Sequence, residues 1–168
     1  QLVPALPDHH FAPTAWPKNH LLREGIDKRT IWVTGNTVVD ALLQISERLK
    51  GRKAIAIGRW IEHAYGLDLA GTAPMILVTG HRRENFAGGL ERVAQGLLRL
   101  AARGDVEVVY PVHLNPNVQQ PANAILGGHR SIPLIKPLDY LPSVHMMRRA
   151  ALIVRDSGAV RHEAPSPG

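Results

Sequence analysis

The sequence predicts an α/β domain built on a mostly parallel sheet. Short β-rich apolar runs alternate with stretches whose apolar residues recur at the helical period, the pattern of strands joined by crossover helices. Polar clusters follow three of those runs directly, where loops leave the carboxyl ends of strands and ligands collect in open parallel sheets. With 168 residues and 45% apolar content, the chain is long enough for one domain with a buried core.

The pattern starts only partway in. Gln1 to Ile31 carries Pro4, Pro7, Pro13 and Pro17 and reads as irregular chain with short elements, an exit from something larger. Asn36 or Thr37 can cap a helix running through Val38, Val39, Leu42, Leu43, Ile45 and Leu49, which Gly51 stops. Met75 to Thr79 is a buried strand that ends at Gly80 and feeds His81, Arg82, Arg83, Glu84 and Asn85. Leu90 to Arg103 places Leu90, Val93, Ala94, Leu97, Leu98 and Ala101 on one helical face, with Gly104 after the last turn. Val106 to Tyr110 is the next strand, broken by Pro111, and it delivers His113, Asn115 and Asn117 into a loop. The stretch Gln119 to Gly128 reads as loop. A strand around Ile132 to Ile135, a helix from about Leu141 to Arg149 and a last strand from Ala151 to Val154 lead to Asp156-Ser157-Gly158.

Composition narrows the function classes. No run of eighteen apolar residues and no basic start followed by an apolar stretch occurs, so neither a membrane span nor a secretory signal is indicated, and a cytoplasmic protein is expected. The absence of cysteine excludes disulfides and thiolate chemistry. A net charge of +6 invites a nucleic-acid reading, but the charge is scattered and only 5% of residues are aromatic, too few to stack bases. A small anionic ligand fits better. The nine histidines show no His-Glu-x-x-His spacing, so no metal site is expected. Gly88-Gly89 and Gly127-Gly128 match neither the phosphate-loop pattern nor the dinucleotide fingerprint, and no Gly-x-Ser-x-Gly elbow occurs.

Three clusters remain as candidates. His81, Arg82 and Arg83 follow a strand, where arginine offers paired planar donors to phosphate and histidine can change charge near neutral pH. The alternative is a loop of surface charges paired with Glu84 and Glu91. Asp156-Ser157-Gly158 follows the last strand, where free backbone N–H groups can hold an anion, and Glu163 could accept from ribose hydroxyls. A simple capping motif at Asp156 or Ser157 is the competing reading. His113 is either a ligand contact or a turn residue.

Taken in order, Val33-Thr34-Gly35-Asn36-Thr37-Val38-Val39-Asp40-Ala41, Thr79-Gly80-His81-Arg82-Arg83-Glu84-Asn85-Phe86, Tyr110-Pro111-Val112-His113-Leu114-Asn115-Pro116, Pro137-Leu138-Asp139-Tyr140 and Asp156-Ser157-Gly158 resemble the non-hydrolysing UDP-N-acetylglucosamine 2-epimerases, from about Phe11 to Gly168. The resemblance implies a Rossmann-like sheet forming the C-terminal half of a glycosyltransferase-B-type two-domain fold. On that basis residues 1–35 are the tail of the N-terminal domain with an interdomain segment, and 36–168 an incomplete C-terminal UDP-binding domain. The implied reaction interconverts UDP-N-acetylglucosamine and UDP-N-acetylmannosamine, eliminating UDP to a 2-acetamidoglucal and adding it back, with no metal or redox cofactor. A homodimer is implied for the full-length family.

Carried over by position, His81 and Arg82 are the catalytic candidates, Ser157 and Gly158 contact phosphate, and Glu163 binds ribose. Arg82 and His113 match a regulatory UDP-N-acetylglucosamine site. There are departures: Ala159 stands for a usual second glycine, Ser143 for a usual aromatic against uracil, and Arg161-His162 for Gln-Glu. Losing the aromatic contact would cost about 1 kcal/mol or more. The proton-transferring carboxylates of the family belong to an N-terminal segment unlike anything here, and the closing strand expected after Gly168 is missing. A truncated, inactive fragment is therefore expected, with the nucleotide-sugar-binding half of a glycosyltransferase or a non-catalytic UDP-binding remnant as alternatives.

Overall fold

The computed structural model describes residues 6–79 and 89–155. Two compact units divide the chain, Gln1–Leu43 and Gln44–Gly168.

In the first unit, β1 (His10–Ala12) and β2 (Ile31–Val33) pair in parallel, with Phe11 opposite Trp32, and are joined through α1 (Ala15–Arg23). A short 3-10 turn at Lys28–Thr30 leads into β2, and Asp27 starts it by accepting from the Arg29 amide at 2.9 Å. Trp32 stacks edge-on against His9 and tilted against Phe11.

Helix α2 (Thr37–Arg48) contains the division between the units. Of the two predicted caps, Asn36 is the one used: its Oδ1 accepts from the Val38 amide at 3.1 Å.

The second unit is a three-layer sandwich on a four-stranded sheet ordered β5-β4-β3-β6, with every pairing parallel. Its strands are β3 (Met75–Thr79), β4 (Glu107–Pro111), β5 (Leu134–Ile135) and β6 (Leu152–Arg155). In sequence order within this sheet the arrangement is 3-2-1-4, the first half of the doubly wound order. Alternate side chains of β3 point to opposite faces. Ile76 and Val78 pack with Ala94 and Leu97 of α4 (Gly89–Ala101) and with Val118, Ala122 and Leu126 of α5 (Pro116–Leu126). Met75 and Leu77 pack with Ile61 of α3 (Arg52–Tyr65) and Met146 of α6 (Tyr140–Arg149). Burial on both faces explains why β3 reads as a continuous apolar run rather than an alternating one.

Three expectations need correction. No element is predicted between Gly51 and Met75, yet α3 fills fourteen residues of it. Ile57, Ile61 and Tyr65, four apart, form its inner stripe, and Gly66 closes it in the left-handed conformation at φ 67°. The predicted loop from Gln119 to Gly128 is mostly α5: Asn115 accepts from the Asn117 amide at 3.0 Å, Pro116 takes the first turn, and Val118, Ala122 and Leu126 are buried at helical spacing. Pro121, the residue that argued for a loop, sits inside the helix. Lastly, Pro111 does not break its strand but ends it, paired with Ile135. The flanking amides of Tyr110 and Val112 donate toward β5, so the missing N–H of Pro111 falls on the β3 side, past the last β3–β4 pair, Leu77 with Val109. Other boundaries agree within two residues, including the stop after α4, where Gly104 has φ 73°. No helix among the described residues is long and apolar enough to cross a membrane.

Candidate functional site

The strand order changes direction between β3 and β6, because the connection from β3 proceeds outward through β4 and β5 while β6 returns to the other side of β3. At such a switch the crossover helices depart to opposite faces and leave a crevice outside the carboxyl ends of the two strands. Here those ends are in register: Thr79, the last residue of β3, is the partner of Arg155, the last of β6. The chain therefore leaves the sheet from two adjacent points, after which Gly80-His81-Arg82 and Asp156-Ser157-Gly158 come next in sequence.

His81, Arg82, Ser157, Gly158 and Glu163 themselves lie outside the described residues, as do Ala159, Arg161 and His162. His113 is described. It follows β4, the neighbour of β3 on its other flank, so it too stands past a strand's carboxyl end. Its side chain is exposed, and its Nδ1 accepts from the Asn115 amide at 3.1 Å, which ties the ring to the start of α5. Ser143, in the first turns of α6, is part-buried and donates its hydroxyl to the Leu138 carbonyl at 3.2 Å.

The candidate set drawn from sequence lies in the loops past the strands and so omits the tips. Thr79 falls on the face of Met75 and Leu77 by alternation, and Arg155 on the face of Ile153, which packs in the same cluster. Both tip side chains thus share the α3/α6 face. The Oγ1 of Thr79 is buried and has no hydrogen-bond partner among the described residues, and the Arg155 Nε is buried as well. The signal in the sequence is position: Thr79 opens one motif, and Arg155 directly precedes another.

A hollow of about 380 Å³ elsewhere is lined by Gly127, Gly128, His129 and Arg130, where α5 hands over to β5. That is the amino edge of the sheet, opposite the strand tips, and it does not coincide with the crevice.

The family model for UDP-N-acetylglucosamine 2-epimerase matches residues 1–168. The chain belongs to the UDP-N-acetylglucosamine 2-epimerase family. A UDP-N-acetylglucosamine 2-epimerase from Yersinia pestis is 48% identical over 169 residues, covering 100% of this chain and 44% of the relative. One from Salmonella typhimurium is 47% identical, over 95% of this chain and 42% of its own length. The chain thus spans less than half the length of the curated relatives it matches. Among solved structures, the crystal structure of UDP-GlcNAc 2-epimerase from Neisseria meningitidis bound to UDP-GlcNAc is similar with a TM-score of 0.87 and 39% identity, over 99% of this chain and 44% of that one. A UDP co-structure of S. aureus MnaA is similar with a TM-score of 0.80 and 37% identity, over 99% and 42%. The fold is accordingly the Rossmann-like C-terminal half of the family's glycosyltransferase-B-type architecture.

Proposed function

We propose that this chain holds UDP, or the UDP part of UDP-N-acetylglucosamine, in the crevice between β3 and β6, as the nucleotide-binding half of a 2-epimerase. The observation that carries the reading is the register of Thr79 with Arg155, which brings the chain segments leading to His81-Arg82 and to Ser157-Gly158 out of the sheet side by side. Elimination and re-addition of UDP require the detached diphosphate to stay where it was released, so a site that positions it and offsets its charge contributes to the barrier directly.

In this reading Ser157 and Gly158 hold phosphate, Glu163 accepts from the ribose hydroxyls, and His81 and Arg82 face the departing diphosphate. His81 acts as its electrostatic or proton-handling partner. Arg82 and His113 belong to a second, regulatory UDP-N-acetylglucosamine site, with His113 set at the tip of β4. Residues 1–35 serve as the tail of an N-terminal domain and its linker, and 36–168 as the UDP-binding domain. The carboxylates that move the C2 proton are not supplied by this chain, so alone it binds without turnover; the full-length protein is a cytoplasmic homodimer.

Calorimetric titration with UDP, run beside an assay of C2 epimerisation, tests this. Binding without turnover is the expected result. Turnover by the isolated chain would overturn the division of labour, and no UDP binding would overturn the nucleotide reading itself.

A further inference from the structure

Neither tip side chain is among the loop residues assigned above. We infer that Thr79 and Arg155 form a seat for the diphosphate at the floor of the crevice, in addition to the loop residues that follow them. The inference rests on the nucleotide reading above and assigns two residues to it that lie in the sheet rather than in the loops.

The placement follows from the register. Thr79 and Arg155 are directly paired in parallel strands and share one face, so their side chains stand beside one another at the carboxyl edge. Every other residue of β3, from Met75 to Val78, is buried and apolar, so the polar pair comes where the strands end and the ligand edge begins. A buried hydroxyl with no partner costs stability, and such a group in a folded protein calls for a reason. A bound anion supplies one, because the Thr79 hydroxyl can donate to a phosphate oxygen. Arg155 brings the matching charge: its guanidinium offers planar, paired donors suited to phosphate, and at a sheet edge with buried Nε it is held in fewer conformations than an arginine on an exposed helix. Arg155 is also engaged within the fold, so a purely structural role is the alternative that a test has to separate.

The separation comes from comparing UDP with uridine, which lacks the phosphates. In calorimetric titrations of the whole chain, Arg155→Met should weaken UDP by about tenfold or more, the scale of a lost charge-assisted hydrogen bond, and Thr79→Val by about threefold to tenfold. Uridine affinity should stay within about twofold for both, since neither contacts the nucleoside. Arg155→Lys should fall between wild type and Arg155→Met, because lysine keeps the charge but not the paired donors. Thermal melts establish that each variant is folded; if Arg155→Met is not, Arg155→Lys and Thr79→Val decide. Equal losses for UDP and uridine would assign both residues a structural role and overturn the inference. Wild-type binding of UDP with variants indistinguishable from it would overturn the inference alone. Failure of the wild type to bind UDP would remove the nucleotide reading and this inference together.

Discussion

Gly58 and His145 meet where α3 packs on α6, so closely that a Cβ on Gly58 would lie 3.3 Å from Nε2 of His145. The seam leaves the imidazole half-buried against a glycine, with Arg148 and Arg149 on its own helix and Glu62 on α3 around it. Burial, then repulsion by Arg148 and Arg149, holds the His145 pKa below its ordinary 6.5, against a smaller opposing pull from Glu62.

That depression sets a pH dependence with a definite sign. Between the lowered folded value and 6.5 the unfolded chain binds more protons than the folded one, so stability rises with pH through this window. The contribution is present above 6.5 and is lost as pH falls through the folded pKa. Glu107 acts oppositely: burial, and then Asp68, raise its pKa above 4.5, so its penalty grows as pH climbs past that value. The two are separated by a variant. Thermal midpoints followed from pH 7.5 to 5 should drop less for His145→Gln than for the wild type, and parallel curves would show that His145 does not titrate with unfolding.

Arg148 has a second task. Its Nη1 donates to the carbonyls of Ser46 and Leu49, each at 2.7 Å, so it satisfies the end of α2 from across the second unit. Arg148→Met should cost about 1–3 kcal/mol, since it removes hydrogen bonds from a charged donor to carbonyls left without that partner. Urea denaturation at pH 8, where His145 is neutral in both states, checks this; a loss under about 0.5 kcal/mol would mean that water replaces the guanidinium without penalty.

Pro121 is a flaw in α5 that can be measured. Within a helix a proline gives up one backbone hydrogen bond and crowds the preceding turn, a cost of about 3 kcal/mol in an ideal helix interior. The surrounding burial of Val118, Ala122 and Leu126 holds the helix despite it. Pro121→Ala should therefore stabilise the chain by about 1 kcal/mol or more, part of the gain being offset by the freer unfolded chain. A lower melting temperature for Pro121→Ala would show that the ring's packing outweighs the restored N–H.

The same proline explains what was hard to see in the sequence. Met75–Thr79 was legible to the residue because a strand buried on both faces leaves an uninterrupted apolar run bounded by Pro74 and Gly80. The apolar positions of α5 were equally periodic, but Pro121 and the paired glycines after Leu126 masked them. In α3 the inner stripe of Ile57, Ile61 and Tyr65 is diluted by Ile55 and Trp60, which are exposed, so the period is blurred. For the site, chain order could place polar clusters after strands, and His113 is found after β4 as expected. Adjacency is different. That β6 pairs with β3 is decided by sheet topology over more than seventy residues of separation, which no local pattern encodes. Thr79 and Arg155 are not recognisable as a pair from sequence for that reason, as their meeting exists only in the register.

The roles assigned to His81 and Glu163 can be told apart in a full-length relative carrying the equivalent changes. A group that faces the diphosphate as it departs meets more charge in the transition state than in the ground state, so its removal lowers turnover more than binding. His81→Ala should accordingly reduce kcat by about a hundredfold, as for loss of one electrostatic or proton-handling group, with UDP affinity changed by less than about threefold. A ribose contact is made equally before and during the reaction. Glu163→Ala should then weaken UDP by about tenfold, the loss of hydrogen bonds to a charged acceptor, and leave kcat at saturating substrate nearly unchanged. The informative failure is an exchange of these patterns: unaltered turnover in His81→Ala would remove it from the chemistry, and unaltered UDP affinity in Glu163→Ala would detach the ribose from that carboxylate.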